Sequence, residues 1–324
     1  MACLALLRRR RKVDLRGQVV LITGGSRGLG LALAREFARR GSHLVLCARN
    51  AEELQRVQRD LAESQGRVVP IPCDVTDRGQ VAHLIGEVLR EFGRMDVLVN
   101  NAGSITVGPI HTMTIADFEQ AMDVMFWGTV YATLATLPHF RERARGAIVN
   151  ITSIGGKVSV PHLVPYSCAK FAAVAFSEGL RAELKGLGID VLTIAPGLMR
   201  TGSFLNAWFK GAEKAEAAWF SASSSLPGIS MSARRAARQI VTALEQGRAE
   251  RILSMPANLL ARFHGLFPEL TTEILGLINR LLPSGSDQVE KGSDSATLQR
   301  PWMRAVTVLG RRAADEYLQP MESR

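Results

Sequence analysis

Residues 23–30, with the sequence TGGSRGLG, decide the fold of this 324-residue chain. A β-branched apolar run at residues 19–23 leads into them, and apolar residues at helical spacing follow them. A glycine turn between a first strand and a first helix lets the backbone approach a pyrophosphate, and the helix N-terminus stabilises the negative charge. The stretch therefore predicts the start of a nucleotide-binding βα unit.

From this turn onward, short β-branched runs alternate with longer helical patterns, which is typical of βαβ units around a parallel sheet. A glycine, Gly41, follows Arg39 and Arg40, as expected at a helix C-terminus. We expect an α/β protein with a doubly wound parallel sheet of about seven strands, a Rossmann fold. The expected strands are residues 19–23, 43–48, 67–71, 95–100, 147–152, 189–195 and 251–255.

The composition favours a large folded core, since 47% of the residues are hydrophobic and only four are cysteines. These values exclude a disordered chain, a collagen-like chain and a disulfide scaffold. No apolar stretch reaches the length of a transmembrane helix, and the N-terminus lacks the order of a secretory signal. The cysteines are far apart, so no metal site is predicted. We expect a soluble, cytoplasmic protein.

Positive charge is concentrated near the N-terminus. The chain has 40 Lys and Arg against 30 Asp and Glu, a net charge of +10, and residues 8–12 (RRRRK) are all basic. Such a run could bind nucleic acid or an anionic membrane. A solvated basic tail is the favoured interpretation, and no recognition motif accompanies the run, so no nucleic-acid partner is predicted.

The chain divides into a basic N-terminal extension (1–12), a catalytic nucleotide-binding domain (13–255) and a C-terminal helical extension (256–324). Within the extension, residues 283–297 are rich in Ser, Gly and Asp and predict a flexible linker, and residues 298–318 predict one more helix.

Residues 256–282 predict two short amphipathic helices that break near Phe267 and Pro268. They could extend a substrate lid, form an oligomer contact or lie on a membrane surface. Charges of both signs are interspersed on them, which favours packing on the protein over peripheral membrane contact. These charged and titratable residues are Arg262, His264, Glu269 and Glu273. We also expect the protein to be a homo-oligomer.

The glycine turn has the spacing T-G-x-x-x-G-x-G, which resembles that of the short-chain dehydrogenase/reductase family. Three further motifs of this family follow expected strands: Cys73-Asp74-Val75, Asn100-Asn101-Ala102-Gly103 and Pro196-Gly197-Leu198-Met199-Arg200-Thr201. The resemblance implies that the Asp74 carboxylate binds the adenine amino group and that the N-N-A-G motif lines the cofactor cleft. It also implies that the P-G loop and Thr201 lie near the nicotinamide.

The second expected strand ends in Cys47-Ala48-Arg49-Asn50, without an acid to bind a ribose 2′-hydroxyl. Arg27 and Arg49 could instead bind a 2′-phosphate, since guanidinium groups suit phosphate geometry. NADP(H) is therefore favoured, and NAD(H) remains possible. The expected cofactor-binding residues are Gly24, Ser26, Arg27, Gly28, Leu29, Gly30, Arg49, Asn50, Asp74, Val75, Asn101, Ala102, Gly103, Tyr166, Lys170, Pro196, Gly197, Leu198 and Thr201.

Three residues are the expected catalytic group: Ser153, Tyr166 and Lys170. The spacing of Tyr166 and Lys170 places both side chains on one helix face. A nearby ammonium lowers the pKa of a phenol, which makes Tyr166 a usable general acid/base. Ser153 would hold the oxygen of a carbonyl or alcohol, and the resemblance implies that Lys170 also binds the nicotinamide ribose. We expect an NADP(H)-dependent oxidoreductase that interconverts a carbonyl and a secondary alcohol.

One position departs from the family pattern, because Met125 stands where a catalytic Asn is usual. A thioether cannot donate a hydrogen bond. In the family the relay water is held by the main-chain carbonyl of this residue, so the relay could survive. The enzyme is therefore either active with an altered relay, which we favour, or a catalytically weakened nucleotide-binding sensor or scaffold on the same fold.

Residues 202–231 are rich in aromatic side chains, and in the family this region covers the substrate. These aromatics suggest a lipophilic carbonyl or alcohol substrate. An equally weighted alternative is that they pack in the core or at a subunit interface. They are Phe204, Trp208, Phe209, Trp219 and Phe220.

Overall fold

A computed structural model describes residues 13–283 and 288–319. The N-terminal extension with its basic run and part of the predicted linker lie outside the described residues. Within the described residues, seven strands form one parallel sheet: β1 Val19–Thr23, β2 His43–Ala48, β3 Val68–Pro72, β4 Val97–Asn100, β5 Gly146–Ile151, β6 Ile189–Pro196 and β7 Glu250–Leu253. Each expected strand is present, and its ends differ from the expectation by at most two residues.

Helices connect these strands. They are α1 Gly28–Arg39, α2 Ala51–Asp60, α3 Arg78–Phe92, α4 Ile115–Met122, α5 Gly128–Glu142, α6 Val164–Leu184, α7 Glu213–Ser225, α8 Ala233–Glu245, α9 Met255–Leu266, α10 Pro268–Asn279, α11 Ala296–Gln299, α12 Pro301–Val306 and α13 Val308–Glu316. A π-helical turn, Asp123–Trp127, joins α4 to α5.

The strand order in the sheet is β3-β2-β1-β4-β5-β6-β7. The chain direction across the sheet therefore reverses between β1 and β4, which is where open α/β sheets bind ligands. Parallel pairing aligns Thr23 of β1 with Cys47 of β2, and Asn100 of β4 with Asn150 of β5. The carboxyl ends of the central strands consequently meet at one edge, and the fold is the predicted doubly wound sheet.

The two faces of the sheet bury separate helix layers, because successive strand side chains point to opposite faces. Val20 and Ile22 of β1 belong to a buried cluster with Phe37 of α1. Leu21 belongs to a second cluster with Ile85 of α3 and with α5. Burial on both faces explains why the strands read as continuous apolar runs.

The predicted amphipathic helices exist as α9 and α10, but the prediction that they pack on the protein is wrong for their apolar face. Leu266 is 74% exposed and Leu281 is 86% exposed. The two helices contact each other instead, and the ring of Phe263 lies 5.3 Å, between centroids, from that of Phe267, the residue that joins them. We call residues 255–282, which comprise α9, α10 and the turn after them, the hairpin. None of the described helices combines the length and the apolar character that crossing a membrane requires.

The predicted linker is wrong for residues 288–297. The strand Gln288–Lys291 pairs antiparallel with Trp208–Gly211, which pairs in turn with Thr106–Val107. The open edge of Trp208–Gly211 supplies backbone partners that the Ser- and Gly-rich composition did not reveal. Gly292 is needed for packing rather than flexibility, since a Cβ there would lie 1.9 Å from the Phe204 carbonyl oxygen.

The single helix predicted for residues 298–318 is also wrong, because α11, α12 and α13 replace it. Pro301 at the start of α12 lacks an amide hydrogen and cannot continue a helix from α11. We call residues 288–319 the strap. It crosses from the small sheet around Trp208–Gly211 back to the turn that precedes α1.

Candidate active site

The glycine turn between β1 and α1 is fixed by close backbone contacts. A Cβ at Gly30 would lie 2.0 Å from the Gly24 carbonyl oxygen, so only glycine permits the turn. The Thr23 hydroxyl accepts the Asn101 and Ala102 amides at 3.0 and 3.1 Å. The Asn101 side chain donates to the Gly24 carbonyl at 3.1 Å. Asn101 and Ala102 of the N-N-A-G motif therefore lie directly against the glycine turn, and Gly103 lies beside Met125.

The N-terminus of α1 fits an anion. Its N-cap is Arg27, no side chain caps its amides, and its first turn carries no acidic residue. The Gly28 amide donates to the Tyr317 carbonyl, so the anion site consists of the positive end of the helix dipole and the turn around Leu29. These residues fit the pyrophosphate of a dinucleotide.

The end of β2 lies beside this turn, because the Gly25 amide donates to the Cys47 carbonyl at 3.0 Å. Arg49 is exposed there. Asn50 is the N-cap of α2, and its side chain accepts the Glu52 and Glu53 amides. Arg49 and the glycine turn consequently share one edge of the site.

A carboxylate that the sequence analysis missed lies between the predicted phosphate ligands. The Ser26 hydroxyl donates to Glu53 Oε2 at 2.7 Å, and Arg27 Nη1 lies 3.4 Å from Glu53 Oε1. Glu53 is on the first turn of α2, outside every quoted motif. Only its position three residues after the Asn50 cap could have drawn attention to it.

The loops after β3 and β6 form the other walls of the predicted cofactor site. Asp74 Oδ1 accepts from the backbone and hydroxyl of Thr76 at 3.0 and 2.9 Å. Val75 is buried against Gly128 at the start of α5. These contacts fix the loop that carries the predicted adenine ligand.

The P-G loop is fixed by backbone hydrogen bonds. The Gly197 amide, next to Pro196, donates to the Leu253 carbonyl at 3.2 Å, and the Leu198 carbonyl accepts the Met231 amide at 2.9 Å. Thr201 is buried. The loop that carries the predicted nicotinamide contacts is therefore tied to β7 and to the segment before α8.

The predicted catalytic side chains meet at the carboxyl end of β5. Ser153 follows that strand, and its hydroxyl accepts the Gly155 amide at 3.0 Å and bonds to the Tyr166 phenol. Tyr166 and Lys170 lie one turn apart on α6. Lys170 Nζ donates to the Ile151 carbonyl at 2.9 Å and lies 5.8 Å from the Tyr166 ring centroid. The structure therefore brings all three together.

Burial dominates the electrostatics of this group. It raises the pKa of the Tyr166 phenol, and the hydrogen bond with Ser153 only partly opposes that effect. Burial also lowers the pKa of Lys170 to about 8. From the sequence, the Lys170 ammonium was expected to lower the pKa of the Tyr166 phenol. The structure differs, because desolvation disfavours both the phenolate and the ammonium. The phenol is held protonated, which is the form that donates a proton.

Met125 lies in the π-helical turn between α4 and α5 and is buried. It packs with Ala121 and Ala169, and Tyr166 contacts this cluster. The Met125 carbonyl accepts the Thr129 hydroxyl at 3.0 Å. The thioether therefore gives the site an apolar wall where the family has an amide.

Residues 202–231 form a lid with its own core. Phe204, Phe209 and Phe220 are buried in it, together with Leu298 and Met303 of the strap. Trp208 is exposed. The packing alternative therefore accounts for the phenylalanines, whose burial the composition could not reveal.

A buried hydrogen bond links the lid to the loop before α6. His162 Nδ1 lies 2.7 Å from Glu216 Oε1 on α7, and Trp219 Nε1 donates to Glu216 Oε2 at 2.6 Å. His162 has a φ of +64°, a left-handed conformation for a non-glycine residue. The Glu216 partner was not apparent from sequence, because 54 residues separate it from His162.

Comparison with known proteins matches these features to one family. A family model described as short chain dehydrogenase matches residues 18–208. Dehydrogenase/reductase SDR family member 7B of Rattus norvegicus is 41% identical over 209 residues, which are 62% of this chain and 64% of that protein. The match thus spans less than two thirds of the rat relative. The Bos taurus protein of the same name is 35% identical over 88% of this chain and 86% of its own length.

A third relative, named fatty acyl-CoA reductase, comes from Acinetobacter baylyi and is 35% identical over 58% of this chain and 64% of its own length. Among solved structures, a short-chain dehydrogenase from Streptomyces avermitilis has a TM-score of 0.70 and 31% identity, covering 82% of this chain and 98% of its own. The family match covers both the glycine turn and the Ser153, Tyr166 and Lys170 group. The chain belongs to the short-chain dehydrogenase/reductase family of NAD(P)-dependent oxidoreductases.

Proposed function

We propose that this oxidoreductase interconverts a carbonyl and a secondary alcohol, with Tyr166 as the general acid/base and NADP(H) as the cofactor. The observation that carries the proposal is the hydrogen bond between the Ser153 hydroxyl and the Tyr166 phenol, with Lys170 one helical turn away. This group lies at the same edge of the sheet as the anion-binding turn before α1. An acid and a dinucleotide site at one edge suit hydride transfer.

Bound nicotinamide would supply a hydride to the carbonyl carbon of the substrate. Ser153 holds the substrate oxygen by a hydrogen bond, and Tyr166 donates its phenolic proton to that oxygen as negative charge develops there. Burial keeps the phenol protonated before the reaction, which suits the reductive direction. Lys170 then stabilises the phenolate that remains, because its ammonium is on the same face of α6.

The preference for NADP(H) is supported by Arg27 in the glycine turn and by the exposed Arg49 at the end of β2, which lies beside that turn. Glu53 opposes it, since its carboxylate bonds to Ser26 and lies 3.4 Å from Arg27. A 2′-phosphate would displace Glu53 from Arg27 and form the stronger charged pair. Comparing the Michaelis constants for NADPH and NADH tests this preference, and a lower constant for NADH would overturn it.

A lipophilic substrate is supported by partly buried apolar side chains beside the lid, among them Ile105, Leu163 and Trp219. The name of the Acinetobacter baylyi relative, fatty acyl-CoA reductase, points to the same class of substrate. A panel of ketones and aldehydes of increasing chain length tests the class. An apolar pocket predicts that kcat/KM rises with chain length.

The Tyr166→Phe variant tests the catalytic proposal. Removing the phenolic hydroxyl should lower kcat about a thousandfold, while NADPH binding stays near the wild-type value. Tyr131→Phe is the matched control, because it makes the same change on α5, away from Ser153. Near-normal turnover in Tyr166→Phe would overturn the assignment.

A sensor or scaffold is the second candidate, and the buried thioether of Met125 against Tyr166 favours it. A sensor binds NADPH without consuming it in the presence of any carbonyl compound. Met125→Asn separates the two: a gain in turnover supports an enzyme with a weakened relay, and no turnover in either form supports the sensor.

A homo-oligomer is supported by exposed apolar side chains on α5, α6 and the turn before α5. Trp127, Leu134 and Phe171 are each at least 40% exposed. Charged substitutions at Leu134 and Phe171 should shift sedimentation to a smaller species.

A further inference from the structure

The end of the strap lies on the anion-binding turn before α1. The Gly28 amide donates to the Tyr317 carbonyl at 2.9 Å, and Arg35 Nη1 donates to the Glu316 carbonyl at 2.8 Å. The Arg35 guanidinium also lies over the Tyr317 ring, 5.5 Å from its centroid. Residues nearly 290 positions apart in sequence are thus joined at this turn.

Gln319 reaches further, into the gap between the glycine turn and the P-G loop. A Cβ at Gly28 would lie 2.8 Å from Gln319 Nε2 and 3.9 Å from the Thr201 Cβ. The amide nitrogen of Gln319 therefore lies where these two walls face each other. The side chain is 7% exposed.

The orientation of this amide is set from the lid. Asn206 Nδ2 donates to Gln319 Oε1 at 2.5 Å, so the oxygen of Gln319 faces Asn206 and its nitrogen faces Gly28. An amide nitrogen only donates hydrogen bonds. A donor is thereby aimed at the turn whose dipole favours an anion.

The strap end is held in this position by packing that outweighs an unfavourable backbone conformation. Leu318 has a φ of +52°, which is unfavourable for a branched side chain, and Tyr317 and Leu318 pack on the main buried cluster. Such a conformation persists only where the surroundings enforce it. The reversal at Leu318 turns Gln319 back toward Gly28.

We propose that the strap end is a clamp on the dinucleotide and that Gln319 is a further cofactor-binding residue, donating from Nε2 to the phosphate oxygens. This inference rests on the proposed function. The clamp joins the glycine turn to the lid through Asn206, so it retains the bound dinucleotide and slows its release. Position 28 requires glycine because its φ is +57°, and a Cβ there would also contact Gln319.

Fluorescence titration and stopped-flow displacement of NADPH test the clamp on the full-length protein. Gln319→Ala should raise the dissociation constant about tenfold, through faster release, because a hydrogen bond to a charged group is lost. Gln319→Glu keeps the shape but places a negative charge beside the phosphates, so it should weaken binding more than Gln319→Ala. Gln299→Ala, the same change at an exposed site of the strap, should leave both values unchanged.

An unchanged release rate in Gln319→Ala, or tighter binding, would overturn the clamp. Equal effects of Gln319→Ala and Gln319→Glu would also overturn it, because a purely structural role does not depend on charge. If the wild type binds no dinucleotide, the proposed function fails together with the clamp. If the wild type binds NADPH but Tyr166→Phe retains turnover, only the catalytic proposal fails and the clamp stands.

Discussion

The two halves of the C-terminal extension differ in the burial of their apolar side chains. The hairpin leaves Leu266 and Leu281 to solvent, whereas the strap buries Leu298 and Met303 completely. The strap contacts the lid along most of its length, but the hairpin is anchored mainly through Ala257 and β7. Helical periodicity thus reveals that an apolar face exists, and only tertiary contacts decide whether that face is buried.

The largest expected effect is on the strap core. Leu298→Ala should lower the free energy of unfolding by about 4 kcal/mol, because it removes a fully buried side chain and leaves a cavity. Leu277→Ala, the same change on the exposed face of the hairpin, should change it by less than about 0.5 kcal/mol. Urea unfolding of both variants measures the difference. Equal losses would show that the contrast between the two halves is wrong.

Two glycines give the next contrast, because changing each to alanine should alter stability in opposite directions. Gly202 has a φ of +71°, and a Cβ there would lie 2.3 Å from the Ala314 Cβ of the strap. Gly202→Ala should therefore destabilise the protein by about 3 kcal/mol. Gly276 is inside α10 with open space around it.

Gly276→Ala should stabilise the protein by about 0.5 kcal/mol, since alanine is the better helix former. Thermal unfolding distinguishes the two signs. Destabilisation by Gly276→Ala would mean that the hairpin is packed against something at that face.

The pH dependence of unfolding tests the burial of Lys170 on α6. There the fold encloses a titratable amine rather than an apolar face. Lys170 has a folded pKa of about 8, below its ordinary value of 10.5. The unfolded chain therefore binds more protons between these values, and stability rises as the pH increases.

Between pH 7 and 9.5 the wild type should gain about 2 kcal/mol relative to Lys170→Met. Lys185→Met, an exposed lysine just after α6, should keep the wild-type dependence. A Lys170→Met profile parallel to that of the wild type would contradict the buried, weakly basic amine.

The smallest expected effect on stability concerns the hairpin surface itself. Changing Leu266, Leu277 and Leu281 together to Ser should alter stability by less than about 0.5 kcal/mol per site. The fluorescence of a dye that binds apolar surfaces should nevertheless fall, because the contiguous patch is lost. Leu187→Ser, which changes one exposed leucine outside the hairpin, serves as the control. Unchanged dye binding in the triple variant would show that this face is covered in solution.

Sequence patterns predicted the strands of the sheet and the group of Ser153, Tyr166 and Lys170. Both predictions depend on local periodicity and spacing. The patterns failed where distant contacts decide. Glu53 bonds to Ser26 from the next helix, and Glu216 pairs with His162 across the lid. The raised pKa of Tyr166 follows from desolvation of its phenol in the folded chain, which no local motif encodes.

The small sheet around Trp208–Gly211 has a consequence for synthesis of the chain. Its edge strand Gln288–Lys291 and the lid-core residues Leu298 and Met303 are translated after the lid and the Rossmann sheet. The Rossmann sheet can form once β7 has emerged, but the lid core stays incomplete until the strap arrives. During that interval the nascent chain exposes Phe204 and Phe209, so the lid is the part of this protein that most needs protection from aggregation while it is being made.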